Sequence, residues 1–184
     1  MSRSALATVG NVVGFQAVWI AAVAGAARGW WWAGPLALAV FAVAQLAAST
    51  QRSSDVRLLL ISVPLGLLID SVWVQMDWIT FSAPLPTTQL APVWIVAMWM
   101  GFALTLNHSL ASLQSRKWLG AALGLVGGPL AYYAAANAWG AAEIRAGWTP
   151  YLALALAWAV VTPMLLRAAQ ALAKPSSANQ LRQA

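Results

Sequence analysis

Cysteine is absent from the 184-residue chain, and histidine occurs once. The first absence excludes disulfides, thiolate nucleophiles, Cys-ligated zinc or iron–sulfur centres and S-acylation. The second excludes paired-histidine metal motifs of the HExxH kind. No metal and no cofactor is therefore expected. Charge is scarce as well: 10 Lys and Arg and 4 Asp and Glu make 8% of the residues. A soluble domain carries about 25%, because a compact chain must clothe itself against water. With 61% hydrophobic residues, lipid is the medium that suits this chain. The net charge of +6 is spread singly and in pairs between apolar runs, with no basic stripe interleaved with aromatics. It reads as topology signal and headgroup contact, not nucleic-acid binding.

What is present is a series of long apolar runs. They predict an all-α, polytopic transmembrane bundle of about six helices, near 6–27, 31–49, 58–79, 91–112, 117–139 and 149–172. Alternating hydrophobicity, which a membrane barrel needs, is missing from them. One domain is expected over residues 1–173, followed by a short polar cytoplasmic tail over 174–184. The first run is longer than the 7–15 apolar residues of a signal peptide and holds Asn11 and Gln16. It is expected to stay as a helix. The segment from Ser82 to Pro86 holds two prolines and reads as a loop.

Orientation follows from the basic residues. With the N-terminus inside, Arg3, Arg52, Arg57, Arg116, Lys117, Arg167, Lys174 and Arg182 lie on the cytoplasmic side, and Arg28 and Arg145 outside. The positive-inside rule thus favours both termini in the cytoplasm. Trp30, Trp31, Trp32, Trp78, Trp94, Trp118, Trp139 and Trp148 fall near helix ends and read as interfacial anchors. Trp19, Trp73, Trp99 and Trp158 lie deeper, as packing or as the lining of a pocket.

Few residues have the chemistry to act. Asp70 lies inside the third run, where a carboxylate disfavours insertion by ~2.5–3.5 kcal/mol. It must face protein or water, as a structural hydrogen-bonding group or as a proton-linked or ligand-binding one. At 100° per residue it shares a helix face with Gly66, Trp73 and Asp77. His108 sits near the inner end of the fourth run, without an evident carboxylate partner, either packed or acting as a base. Asn11, Gln45, Asn107 and His108 fall in one half of the membrane and form a candidate polar cluster. Tyr133 and Asn137 fall in the other half with Asp70 and Asp77, and Gln16 points away from Asn11. Gly120, Gly124 and Gly128 make two small-xxx-small steps for close helix packing, within the bundle or between subunits. Pro129 is expected to kink the same helix.

Asn11-x3-Phe15-Gln16-x2-Trp19, Asp70-Ser71, Pro92-x-Trp94-x4-Trp99, Phe102-Ala103-x-Thr105-Leu106-x-His108-Ser109-Leu110, Gly128-Pro129-x2-Tyr132 and Gly140-Ala141 form a further pattern. It resembles a bacterial inner-membrane family known as domain of unknown function 2878, over nearly the whole chain. The resemblance implies a multi-pass inner-membrane protein, and a lipid-related role through neighbouring genes for fatty-acid-modifying enzymes. It supplies no reaction and no catalytic residues. The 12 tryptophans also invite comparison with the Trp-rich sensory/translocator proteins, whose arrangement of Trp and Pro is different. Three functions stay open. The first is an accessory or scaffold protein of membrane-lipid metabolism, with membrane lipid and a lipid-modifying enzyme or other membrane protein as partners. The second is a small transporter or ligand-binding protein using Asp70. The third is a membrane enzyme with His108 in an inner-leaflet site.

Overall fold

A computed structural model describes residues 3–173, with side chains from residue 5 onward. The polar tail expected over 174–184 lies outside the described residues. The described residues form six α-helices: α1 (Arg3–Ala26), α2 (Ala33–Ala48), α3 (Arg52–Gln75), α4 (Val93–Ala103), α5 (Lys117–Asn137) and α6 (Thr149–Leu172). Two three-residue strands, β1 (Ile79–Phe81) and β2 (Ala142–Ile144), pair antiparallel with Thr80 opposite Glu143. This ribbon, absent from the sequence expectation, clips the α3–α4 connection to the α5–α6 connection.

Four of the helices are long and apolar enough to cross a bilayer: α1 from Ala5, α3, α5 and α6. At 1.5 Å per residue the 16 residues of α2 reach about 24 Å and the 11 of α4 about 16 Å, less than the ~30 Å hydrocarbon core. The bounds of α5 and α6 follow the apolar runs closely. The third helix starts six residues before its apolar run, at Arg52 instead of 58.

The fourth run departs most from expectation. Helix stops at Ala103, and residues 104–110 continue as turns into a 3-10 turn at Ala111–Leu113. A tertiary contact takes up the freed backbone, the Leu104 carbonyl accepting the Asn11 side-chain amide at 3.0 Å, and locally the Thr105 hydroxyl donates to Phe102 O at 2.6 Å. Irregular backbone is tolerated inside a bundle where protein groups satisfy it.

Helix α4 is the hub, packed against α1, α2 and α3, while α6 joins α3 to α5. Successive helices alternate in direction. Asn11, Ser49, Asp55 and His108 meet at one end of the bundle, and the ribbon marks the other. The glycine stripe packs inside the chain. A Cβ on Gly124 would lie 2.0 Å from Trp158 O, and one on Gly128 2.4 Å from the Trp158 ring, so α5 rests directly on α6. Pro129 lies within α5. Large apolar side chains such as Val40, Val43, Leu60, Leu68 and Val126 stand exposed on the outer helix faces, as hydrocarbon surroundings require.

Trp30, Trp31, Trp32, Trp118, Trp139 and Trp148 are exposed, as anchors would be. Trp94 is not an anchor. It is fully buried edge-on to Phe81 at 5.6 Å, with its indole N–H donated to Ser82 O at 2.9 Å. The ribbon folds over the start of α4 and covers it.

Candidate functional site: two polar clusters and an apolar cavity

Asp70 is wholly buried on α3. Its carboxylate accepts the Trp99 indole N–H at 2.6 Å and the Tyr132 hydroxyl. Gly66, one turn earlier on the same face, makes room for the Trp99 ring: a Cβ there would lie 2.4 Å from it. Trp99 in turn stacks on Trp158 at 4.6 Å. Asp70, Trp99 and Trp158 thus form a chain of contacts from α3 through α4 to α6.

The companions expected for Asp70 are not the ones it has. Helix α3 ends at Gln75, so Asp77 leaves the helical face, with φ of 53° in an exposed turn. Tyr133 and Asn137 are exposed on α5, joined by a bond from the Asn137 amide to Tyr133 O. The neighbouring residue, Tyr132, faces inward. Its signal was available, because Gly120, Gly124, Gly128 and Tyr132 repeat every four residues along one stripe.

At the opposite end of α3 lies Asp55, fully buried and overlooked when residues 49–54 are read as loop. Its carboxylate accepts Ser49 Oγ at 2.5 Å and Asn107 Nδ2 at 2.9 Å, and meets His108 Nε2 at 3.1 Å. His108 therefore has the carboxylate partner that the sequence did not disclose. Asn107 also donates to Ser54 Oγ and accepts from Gln114. Asn11 forms a second set of bonds close by, donating to Gln45 at 2.9 Å and accepting from Ser109 Oγ at 2.6 Å. Of the expected group, Asn107 and His108 gather on Asp55, while Asn11 and Gln45 pair separately and reach the same irregular segment after α4 through Leu104 and Ser109. Asp70 takes no part in either set. Asp55 and Asp70 are 15 positions apart on one helix, about 22 Å at the helical rise.

Between the two clusters a cavity of about 450 Å³ separates α1 and α4 from α5 and α6. Trp19, Trp99, Phe102 and Trp158 line it, with Gly124, Gly127 and Gly128 forming a smooth wall on α5. Its rim on α1 and α5 carries the exposed side chains Val12, Leu123 and Leu130, and α1 and α5 share no extended interface. The cavity thus opens sideways, between two apolar helix faces. Gln16 sits at this rim, apart from Asn11. No Asp, Glu, Lys, Arg or His lines it among the described residues.

Residues 8–164 match the model of a family described as a protein of unknown function, DUF2878. The chain belongs to that family. The DUF2878 match spans both polar clusters and every cavity-lining residue named above. No curated protein and no solved structure matches the chain.

Proposed function

We propose that this DUF2878 protein is a multi-pass protein of the bacterial inner membrane that receives a hydrocarbon ligand from the bilayer. In this reading it serves as an accessory or scaffold component of membrane-lipid metabolism, with both termini cytoplasmic. One observation carries the proposal: a cavity of about 450 Å³, apolar along almost its whole wall, that opens between the exposed faces of α1 and α5. Its size falls within the 300–1,000 Å³ usual for small-molecule sites. An opening among lipid-facing side chains is reached by diffusion in the bilayer and not from water.

The test is mass spectrometry of molecules that copurify in mild detergent, together with membrane lipid profiles with and without the protein. Gly127 lines the cavity and a Cβ there would meet only Leu123 within 4 Å, at 3.8 Å, so Gly127→Phe is the variant that introduces bulk at this wall. The folded variant is expected to lose the copurifying molecule and to reproduce the lipid profile of the deletion. A wild-type protein that retains no hydrocarbon, with lipid profiles unchanged under stress, would sink the reading.

The Asp55–His108 contact at 3.1 Å favours a second reading, a membrane enzyme with His108 as base. A buried carboxylate fixes the orientation of an imidazole as a base requires. His108→Gln would then abolish the lipid change while preserving the fold. Transport through Asp70 gains no comparable support, since Asp70 lies behind Trp99 and Tyr132 and does not line the cavity.

A further inference from the structure

One exposed polar side chain at the cavity mouth has no partner within the protein. The lining residues of α1 are Val12, Phe15, Gln16 and Trp19, spaced as a single helix face, so Gln16 stands on the stripe turned to the cavity. It is exposed, and among the described residues no group hydrogen-bonds to its carboxamide. The other polar side chains of the wall are occupied. Thr105 Oγ1 donates to Phe102 O, Ser109 Oγ to Asn11, the Trp94 indole to Ser82 O, and Trp99 and Tyr132 to Asp70. Trp158 and Thr162 have their polar atoms sealed in the α5–α6 contact. Gln16 is also the twelfth of the 22 residues from Ala5 to Ala26, at the middle of the span. An amide without partners is costly in hydrocarbon, where water cannot substitute for them.

Depth and chemistry narrow what Gln16 receives. A phospholipid keeps its ester and phosphate groups at the interface, about 15 Å from the middle of a ~30 Å hydrocarbon core, and offers only methylenes at this level. Without a charged side chain among the lining residues, an ionised group is not accommodated either. The carboxamide both donates and accepts, so an uncharged group that does the same fits it best. Building on the hydrocarbon-binding reading above, we propose that the ligand is a long-chain molecule bearing one uncharged hydroxyl at mid-bilayer depth. Gln16 holds that hydroxyl at the cavity mouth, while the hydrocarbon lies against Trp19, Phe102 and the glycine wall of α5.

The experiment compares two probes on the purified full chain in nanodiscs: a symmetrical long-chain secondary alcohol and the n-alkane of equal length. Each is scored against its uptake by empty nanodiscs. Wild type is expected to prefer the alcohol by about ten-fold, the worth of roughly one hydrogen bond. Gln16→Leu removes no bond within the protein and suits a lipid-facing helix. In that variant the preference falls to near parity, with alkane affinity held within about two-fold. Should it fail to fold, Gln16→Met is read by the same ratio. Equal uptake of both probes by wild type, or a preference that survives the substitution, overturns the inference and leaves the hydrocarbon reading standing. So does a wild-type dimer that Gln16→Leu dissociates, because a second copy would then hold the carboxamide. Wild type that takes up neither probe overturns both.

Discussion

Asp70 and Tyr132, 62 positions apart in sequence, share a hydrogen bond in the interior of the bundle, and Trp99 donates to the same carboxylate. One side chain on α3 thereby ties α4 and α5 together where neither lipid nor water offers a substitute. Asp70→Ala would leave an indole N–H and a phenol O–H unmatched. The expected loss is about 2–4 kcal/mol, since hydrogen bonds to charged groups are worth roughly 1.5–3 kcal/mol each and less between membrane helices. Thermal unfolding in detergent reads the loss, and an altered tryptophan emission should accompany it as the Trp99–Trp158 stack loosens. A variant of native stability would show that the carboxylate is held for chemistry and not for architecture.

The Asp55 cluster predicts a coupling that a double-mutant cycle measures. Asp55→Ala removes the acceptor for Ser49, Asn107 and His108 together, whereas His108→Gln removes a single contact. Asp55→Ala should therefore destabilise more, by roughly 2 kcal/mol or above against about 1 kcal/mol. Once Asp55 is gone, His108→Gln should cost little further, giving a coupling energy of about 1 kcal/mol. Independent effects would mean that the 3.1 Å contact contributes nothing to the fold.

Much of this architecture is legible in the chain, for reasons that differ from residue to residue. Asp70 stands out because a carboxylate inside an apolar run must have a partner. The partner's identity turns on helix phase, and one position separates the buried Tyr132 from the exposed Tyr133. Asp55 is hidden for another reason. A polar stretch after α2 reads as loop, yet the helix begins inside it at Arg52, after a turn in which Ser49 Oγ accepts the Gln51 amide. The end of α4 leaves little local mark beyond the Thr105 hydroxyl that bonds back to Phe102 O. Residues 104–113 are compatible with helix, and it is Asn11, 93 positions away, that takes the Leu104 carbonyl. Contacts of such sequence separation have no signature in local periodicity.

The glycines of α5 separate packing from composition. At Gly124 an added methyl meets the Trp158 carbonyl at 2.0 Å, and backbone cannot step aside, so Gly124→Ala should part α5 from α6. A loss above about 2 kcal/mol, or failure to accumulate in the membrane, is expected. At Gly10 nothing lies within 4 Å of the same methyl. Gly10→Ala should be neutral or slightly stabilising, because alanine suits a helix better by up to ~1 kcal/mol. Equal tolerance at both positions in a thermal unfolding series would contradict the α5–α6 contact.

Topology is open to a direct measurement, because a chain without cysteine is a ready background for single-cysteine labelling. Ser115 and Ala146 are both exposed, one before α5 and the other before α6, so a single helix separates them. If α5 crosses the bilayer and the basic residues set its direction, Ser115→Cys lies in the cytoplasm beside Arg116 and Lys117, and Ala146→Cys lies outside. A membrane-impermeant maleimide should then label Ala146→Cys in intact spheroplasts, and Ser115→Cys only after permeabilisation. The reverse pattern would invert the protein and place the Asp55–His108 end on the outer face, against the proposed orientation with both termini cytoplasmic. Labelling of both sites from outside would mean that α5 does not span, and the sideways opening between α1 and α5 would then face water instead of lipid.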